Sequence, residues 1–397
     1  MHQRIYFDNA ATTAVDGEVV KAMEPYFSEK YGNPSSIHSF GQEAIAAIDE
    51  AREKIATRFE CGFDDIIFTG SATEANNLAI FGIAKNFRPG NSKFVPDHFI
   101  TTAIEHESVL EPMRELEKVG HKITFVPADK SGFVKISDIE KSIKKNTVLV
   151  SVIYANNEIG TVQPVREIGK LIEKINIKRG EARLPKIYFH TDAVQAVNYL
   201  ECRPNRLKID LLTFSGHKIY GPKGVGCLYV KKNTPLHPII FGGGQEFGLR
   251  PGTENVSGIV GLAEAAELAF ENREKRSKYV LDLRNELWKN IVKYCETAEL
   301  NGSFEGRLPN NLNVRFPGVS NETLIVALDR SGIAVSAGAA CSSRASKPSH
   351  TLIATGLSAK QAKESVRITL GKNTAKKEIK IAAKIIGETI KKLETKI

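Results

Sequence analysis

Short apolar runs and helical stretches alternate along the first two thirds of this chain. The runs at 65–69 (DIIFT), 98–103 (HFITTA), 122–128 (KITFVPA), 147–155 (TVLVSVIYA), 186–193 (KIYFHTDA), 210–215 (DLLTFS) and 226–230 (GCLYV) read as strands. Several are apolar throughout, as strands covered on both faces are. Between them, ATEANNLAIFGIAKNF and VREIGKLIEKINI read as helices. Such alternation implies an α/β fold with a mainly parallel sheet and right-handed crossovers. Ligands of such sheets bind at the carboxyl ends of the strands, so the residues just past each strand carry the most information.

After about Asn255 the texture changes. A long helical stretch over 256–295 leads into a region with fewer strands, where LNVRFPG (312–318), GIAVSAG (332–338) and SVRITLG (365–371) suggest a small sheet flanked by helices. A second, smaller domain is expected to begin near residue 256. Ile379, Ala383, Ile386, Ile390 and Leu393 recur at helical spacing near the end of the chain. Eleven Lys/Arg against four Asp/Glu lie between Gly356 and Ile397, a large share of a net charge of +9. This reads as a terminal helix with its apolar face on the core and a solvated basic face, or as a docking surface for an acidic partner protein. Aromatics are not interleaved with the basic residues, which speaks against nucleic acid.

Composition narrows the class. The 397 residues are 42% hydrophobic and 25% charged, ordinary for a globular protein and enough for two domains. Five cysteines, Cys61, Cys202, Cys227, Cys295 and Cys341, are widely spaced, with no CxxC pair and no zinc-site spacing. A disulfide framework is not expected, and a reducing compartment is. MHQRIYFDNAATTAV carries no signal-peptide pattern. No apolar window approaches the roughly 20 residues that cross a bilayer. These features point to the cytoplasm and away from a membrane.

Five strand ends carry candidate chemistry. In FTGSATEANN, Ser71 and Glu74 form a capping-box pattern, and the free N–H groups of the helix start, with the Thr73 hydroxyl, also suit a phosphate. In TAIEHESV, His106 is either structural or a ring that stacks on a flat ligand or shuttles protons. In VIYANNEIGTVQP, Asn156, Asn157 and Glu158 make a polar turn or offer hydrogen bonds to a ligand. In IYFHTDAVQA, Asp192 ends a buried strand, where a carboxylate needs a partner; a helix cap or a protonated heteroaromatic nitrogen would serve. In LTFSGHKIYGPKGVG, Ser215, His217 and Lys218 stand where a strand breaks at Gly216, and a buried lysine amine becomes nucleophilic toward carbonyls. The glycines here fit neither a dinucleotide fingerprint nor a P-loop, because Tyr229 and Pro222 stand where those motifs need Gly and Lys. A phosphate grip, a flat ring, an acid partner and an imine-forming lysine together fit pyridoxal 5'-phosphate.

With YFDNAATT, YGNPSSIHSFG, GSATEANN, EHESV, NNEIGTVQP, HTDAVQA, SGHKIYGPKGVG, GGGQEFGLRPGTEN, SAGAACSS and SVRITLG in this order, the chain resembles the cysteine desulfurases of the class V aminotransferase group, nearly end to end. SAGAACSS resembles the G-x-A-C-[ST]-S loop of the branch serving iron–sulfur cluster assembly. The resemblance implies a fold-type I pyridoxal-phosphate transferase. Its large domain would span 15–255, and a smaller α+β domain, formed by 1–14 with 256–397, would carry the cysteine loop. It implies that Lys218 bonds covalently to the coenzyme and Asp192 pairs with the ring nitrogen. Gln195 and Asn157 would hydrogen-bond the ring oxygen, and His106 would stack on the ring and take part in acid–base steps. Ala72, Thr73, Ser215 and His217 would hold the phosphate, and Thr253 would reach the phosphate of a neighbouring subunit, which implies a homodimer. Arg367, with Asn157, would bind the carboxylate of L-cysteine, a task suited to a guanidinium fork.

The resemblance also accounts for a lone thiol among small residues. Cys341 would take sulfur from the substrate as a persulfide and hand it to an iron–sulfur scaffold or another acceptor protein. Gly338 and its Ala and Ser neighbours would let the loop travel between site and surface, and Arg344 and Lys347 would favour the thiolate. The alternatives are a selenocysteine lyase or an aminotransferase on the same scaffold, or a protein whose site is vestigial.

Overall fold

The computed structural model describes residues 4–87, 97–338 and 348–394. A two-residue strand, β1 (Ile5–Tyr6), opens the chain. β2 (Ile66–Thr69), β3 (His98–Thr102), β4 (Lys122–Val126), β5 (Thr147–Ser151), β6 (Tyr188–Asp192), β7 (Leu211–Ser215) and β8 (Gly226–Val230) form one seven-stranded sheet in the order β2-β8-β7-β6-β5-β3-β4. Each falls within or at one of the seven apolar runs. β8 runs antiparallel to both its neighbours, and the other pairings are parallel. β2 therefore points the same way as β3 to β7, and their carboxyl ends share one edge of the sheet.

Both faces are covered, which is why the runs alternate so little between apolar and polar. Ile66, Phe68, Leu212 and Phe214 face the helices Ser39–Phe59 and Val256–Glu271, while Ile67, Leu211 and Leu228 face Ala72–Ala84 and Glu107–Lys118. Phe214 stacks on Phe59 with ring centroids 5.1 Å apart, both rings wholly buried. Truncating either to Ala would cost about 3–5 kcal/mol.

A second core gathers Ile5 and Phe7, the strands β9 (Glu299–Leu300), β10 (Asn311–Arg315), β11 (Ile333–Ala334) and β12 (Ser365–Thr369), and one face of the terminal helix Lys376–Glu394. Ile379, Ala383, Ile386 and Ile390 of that helix are buried, so its apolar stripe docks as its periodicity implies.

Two expectations for this half need correction. The 332–338 run does not join the small sheet as an equal member. Only Ile333–Ala334 is strand, and it pairs in parallel with β1, whose neighbours Ile5 and Phe7 fill the second core. The small sheet is β12-β10-β9 instead, its third strand a two-residue segment with no pattern long enough to read. The single helix expected over 256–295 is two, Val256–Glu271 and Arg273–Tyr294, broken at Asn272. Arg276 bonds carbonyls of the last turn before the break, those of Leu268 and Ala269. The apolar face of Val256–Glu271 lies in the first core, and Arg273–Tyr294 passes from that core at Val280 to the second at Leu283.

Among the described residues no helix is long and apolar enough to cross a membrane, no cluster of potential ligands could hold a metal, and Cys61, Cys202, Cys227 and Cys295 are free thiols.

Candidate active site

The shared edge of the sheet opens into a cavity of about 370 Å³, within the ~300–1,000 Å³ usual for small-molecule pockets. Ala72 and Thr73 enter it after β2, His106 after β3, Asn157 after β5, Asp192 and Gln195 from β6, and Ser215, His217 and Lys218 from β7. Arg367 lines it from β12, across from the large sheet. Ten of the twelve residues singled out from the sequence thus meet in one place. Thr253 does not line the cavity and is exposed on the surface of the chain. Cys341, with Arg344 and Lys347, lies outside the described residues.

The β2 turn makes an anion cradle. Ser71 caps the helix Ala72–Ala84, its Oγ accepting the Glu74 N–H at 3.2 Å. The reciprocal half of the capping box is not made. Glu74 bonds the Gly70 N–H at 2.8 Å instead and pairs with Arg250 Nε at 2.8 Å, which draws its carboxylate away from the Ser71 N–H. A Cβ on Gly226 would sit 2.5 Å from the Ser71 carbonyl carbon, so only glycine lets β8 lie against this turn. His217 Nδ1 meets Thr12 Oγ1 at 3.2 Å. Burial, with Lys218 and Lys223 nearby, pushes the His217 pKa down to about 4. The ring is neutral near pH 7 and serves as a hydrogen-bonding group.

Lys218 Nζ donates to the carbonyls of Ala10 and Ala11, both at 2.7 Å, and Gln195 Nε2 donates to the Ala10 carbonyl at 3.0 Å. Ser215 Oγ donates to Val225 O at 3.3 Å. Asp192 is 4% exposed. Its Oδ1 accepts the Val194 N–H at 3.0 Å and its Oδ2 accepts Asn76 Nδ2 at 2.9 Å. Both donors are neutral. A buried carboxylate so placed still has room for a cation, and the protonated nitrogen of a heteroaromatic ring fits.

The opposite wall comes from distant segments. Arg367 NH2 pairs with Asp8 Oδ1 at 2.9 Å, and NH1 donates to the Asn157 carbonyl at 3.0 Å and the Gly338 carbonyl at 2.8 Å. Its Nε is buried with no hydrogen-bond partner among the described residues, a donor left for a ligand. Asn157 thus contributes its backbone here as well as lining the cavity. Asn156 settles on the other reading of its turn: its side chain bonds the Ile104 carbonyl and the N–H groups of Glu158 and Ile159.

Several neighbours were not singled out from the sequence. Asp8 and the Ala10–Ala11 carbonyls come from the first residues of the chain. Glu105 is fully buried just before His106, and burial pushes its carboxyl pKa up to about 8 against bonds from Thr102 and the Ile153 N–H. A glutamate at the end of an apolar strand was the available hint. His350 Nε2 lies 2.8 Å from the Glu105 carbonyl oxygen.

The profile of the aminotransferase class-V family matches residues 5–381. The chain belongs to this family. It is 44% identical over 395 residues to cysteine desulfurase IscS of Dictyoglomus turgidum, covering 100% of this chain and 96% of that one. It is 43% identical to cysteine desulfurase IscS 1 of Archaeoglobus fulgidus, with 98% of each covered. A solved structure of a NifS-like protein superposes with a TM-score of 0.90 at 38% identity, covering 98% of this chain and 100% of that one. Class-V enzymes depend on pyridoxal 5'-phosphate, and the site fits it: a helix N-terminus for the phosphate, a lysine amine, and a buried carboxylate that accepts from the neutral Asn76 amide and Val194 N–H.

Proposed function

We propose that this chain is a pyridoxal-phosphate-dependent cysteine desulfurase that converts L-cysteine to L-alanine and carries the sulfur as a persulfide on Cys341. The observation that carries the reading is the meeting of Lys218, Asp192 and Arg367 in one cavity. An amine, a ring-nitrogen partner and a carboxylate receptor are what an amino-acid substrate and this coenzyme require.

Bound there, the coenzyme supplies an electron sink that makes the substrate α-carbon acidic. Lys218 would hold it covalently, and Asp192 would keep its ring nitrogen protonated. Gln195 and Asn157 would hydrogen-bond the ring oxygen, and His106 would cover one face. The Ala72 and Thr73 N–H groups with Ser215 and His217 would hold the phosphate, and the neighbouring subunit would add its Thr253, which makes the working unit a homodimer. Thr253 lies outside its own cavity, as a residue serving a second subunit would. The Arg367 fork receives the substrate carboxylate, and the orphan Nε is the donor it gains. Released Lys218 Nζ would take the α-proton. The Cys341 thiolate would then attack the substrate sulfur and break its bond to Cβ, the bonding pair staying with the carbon skeleton, and protons returned to Cβ and Cα would give alanine.

The persulfide passes to an iron–sulfur assembly scaffold or another sulfur acceptor in the cytoplasm. The basic face of Lys376–Glu394 is the docking surface for an acidic acceptor. The test is incubation with L-cysteine, measuring alanine and the mass of the Cys341 peptide. A gain of one sulfur there, absent in Cys341→Ser, is expected. A Cys341→Ser protein that still releases sulfide from cysteine at the wild-type rate would rule the assignment out in favour of an aminotransferase.

A further inference from the structure

His106 and Asp192 belong to one hydrogen-bonded chain, and the direction of each bond in it can be worked out. Asn76 is wholly buried, and its Nδ2 donates twice, to Asp192 Oδ2 at 2.9 Å and to Ser108 Oγ at 2.8 Å. The amide cannot be turned the other way, because its oxygen would then face a carboxylate. Ser108 Oγ accepts from Asn76, so its own hydrogen goes to its other neighbour, His106 Nδ1 at 2.8 Å. The Ser108 backbone N–H also points at Nδ1, at 3.1 Å. An N–H cannot donate to a nitrogen that carries a proton. Nδ1 is therefore an acceptor, and the ring proton resides on Nε2.

We propose that Asn76 and Ser108 are positioning residues that lock His106 as the neutral, Nε2-protonated imidazole through the same chain that orients the Asp192 carboxylate. His106 then presents an uncharged ring to the coenzyme face, and protonating Nδ1 requires breaking the bond to the Ser108 N–H and reversing the Ser108 hydroxyl. This rests on the reading that Asp192 and His106 flank the coenzyme ring, whereas the tautomer itself is a property of the chain.

The experiment is nitrogen-15 NMR of the dimer labelled at histidine, with and without coenzyme, His106 being identified by the signals lost in His106→Gln. A protonated Nε2 and an unprotonated, hydrogen-bonded Nδ1 at neutral pH are expected in both forms. A proton on Nδ1, in either the other tautomer or the imidazolium, overturns the proposal. If the coenzyme fails to bind while the tautomer is as expected, the reading of the site fails and the lock stands. In Asn76→Leu, which cuts the chain at its middle, kcat is expected to fall about tenfold or more, the scale of one hydrogen bond to a charged group. KM for L-cysteine should stay within about twofold, and the His106 nitrogen shifts should move toward a mixture of tautomers. Unchanged shifts and unchanged kcat in that variant would also overturn it.

Discussion

Asp192 and Arg367 face the same cavity by different routes. Asp192 stands at the last position of β6, with Val194 two residues on as one partner and Asn76 of a neighbouring crossover as the other. Lys218 likewise lies three residues past the end of β7. Arg367 sits in the middle of β12, and its pair, Asp8, is 359 residues away along the chain. One wall is made where strands end, each residue in its own turn. The other is made by docking a second core against the first. Damage to the first wall should displace the coenzyme, and damage to the second should weaken substrate binding while leaving the coenzyme in place.

The strongest way to break that contrast is Lys218→Ala. Alanine formation should fall by ~10⁴-fold or more, as for loss of a covalent catalytic group, with loss of the coenzyme's visible band; retained turnover would dissolve the assignment. Next comes Arg367→Lys. An ammonium cannot serve Asp8, two carbonyls and a substrate carboxylate together, so KM for L-cysteine should rise about 10- to 150-fold, the equivalent of ~1.5–3 kcal/mol. The visible spectrum should not change; a bleached enzyme would show that the two walls are not separable. Thr253→Ala should weaken coenzyme binding about fivefold, near 1 kcal/mol for one hydrogen bond, as read by equilibrium titration of the apo protein. Reversing charge at Lys376, Lys377 and Lys380 should slow association with an acidic acceptor by a few-fold, an effect that fades as salt rises. Equal on-rates at low salt would move the docking surface elsewhere.

The smallest effect is a slope with pH. Glu105 holds its proton up to about pH 8 in the folded chain, against 4.5 for an ordinary glutamate. Between those values the unfolded chain has lost a proton that the folded chain keeps. The stability from this group is therefore full below about pH 4.5 and drains away as pH rises toward 8. Glu105→Gln should remove that slope, so its melting temperature should gain on the wild type between the two. Parallel curves would mean that Glu105 is ionised in the fold.

Legibility tracked the same division. The seven strands of the large sheet were readable because strands covered on both faces are short, nearly continuous apolar runs bounded by turns. Their ends carried the site with them, since a polar residue after such a run stands at the sheet edge. The small sheet is harder to read through its alternation. In NLNVR and SVRIT every second residue is polar, a pattern that by itself suits a solvated face for Asn313 and Arg367. They are 0% and 1% exposed, because that face is buried against the large domain and lines the cavity. Asn76 was hidden for another reason: within a helix its periodicity is that of a core position, and nothing nearby along the chain names its partners.

The order of amino acids by itself determined which segments would be strands of the large sheet, where each would stop and which side chains would stand at the stops, because period and turn chemistry act over a few residues. The tertiary structure alone decided that Asp8 would pair with Arg367, that Asn76 would join Asp192 to His106, and that the helix after Asn255 would belong to the first core. Those contacts depend on which buried surfaces come to face each other. Closing loops of hundreds of residues leaves no mark on the residues between.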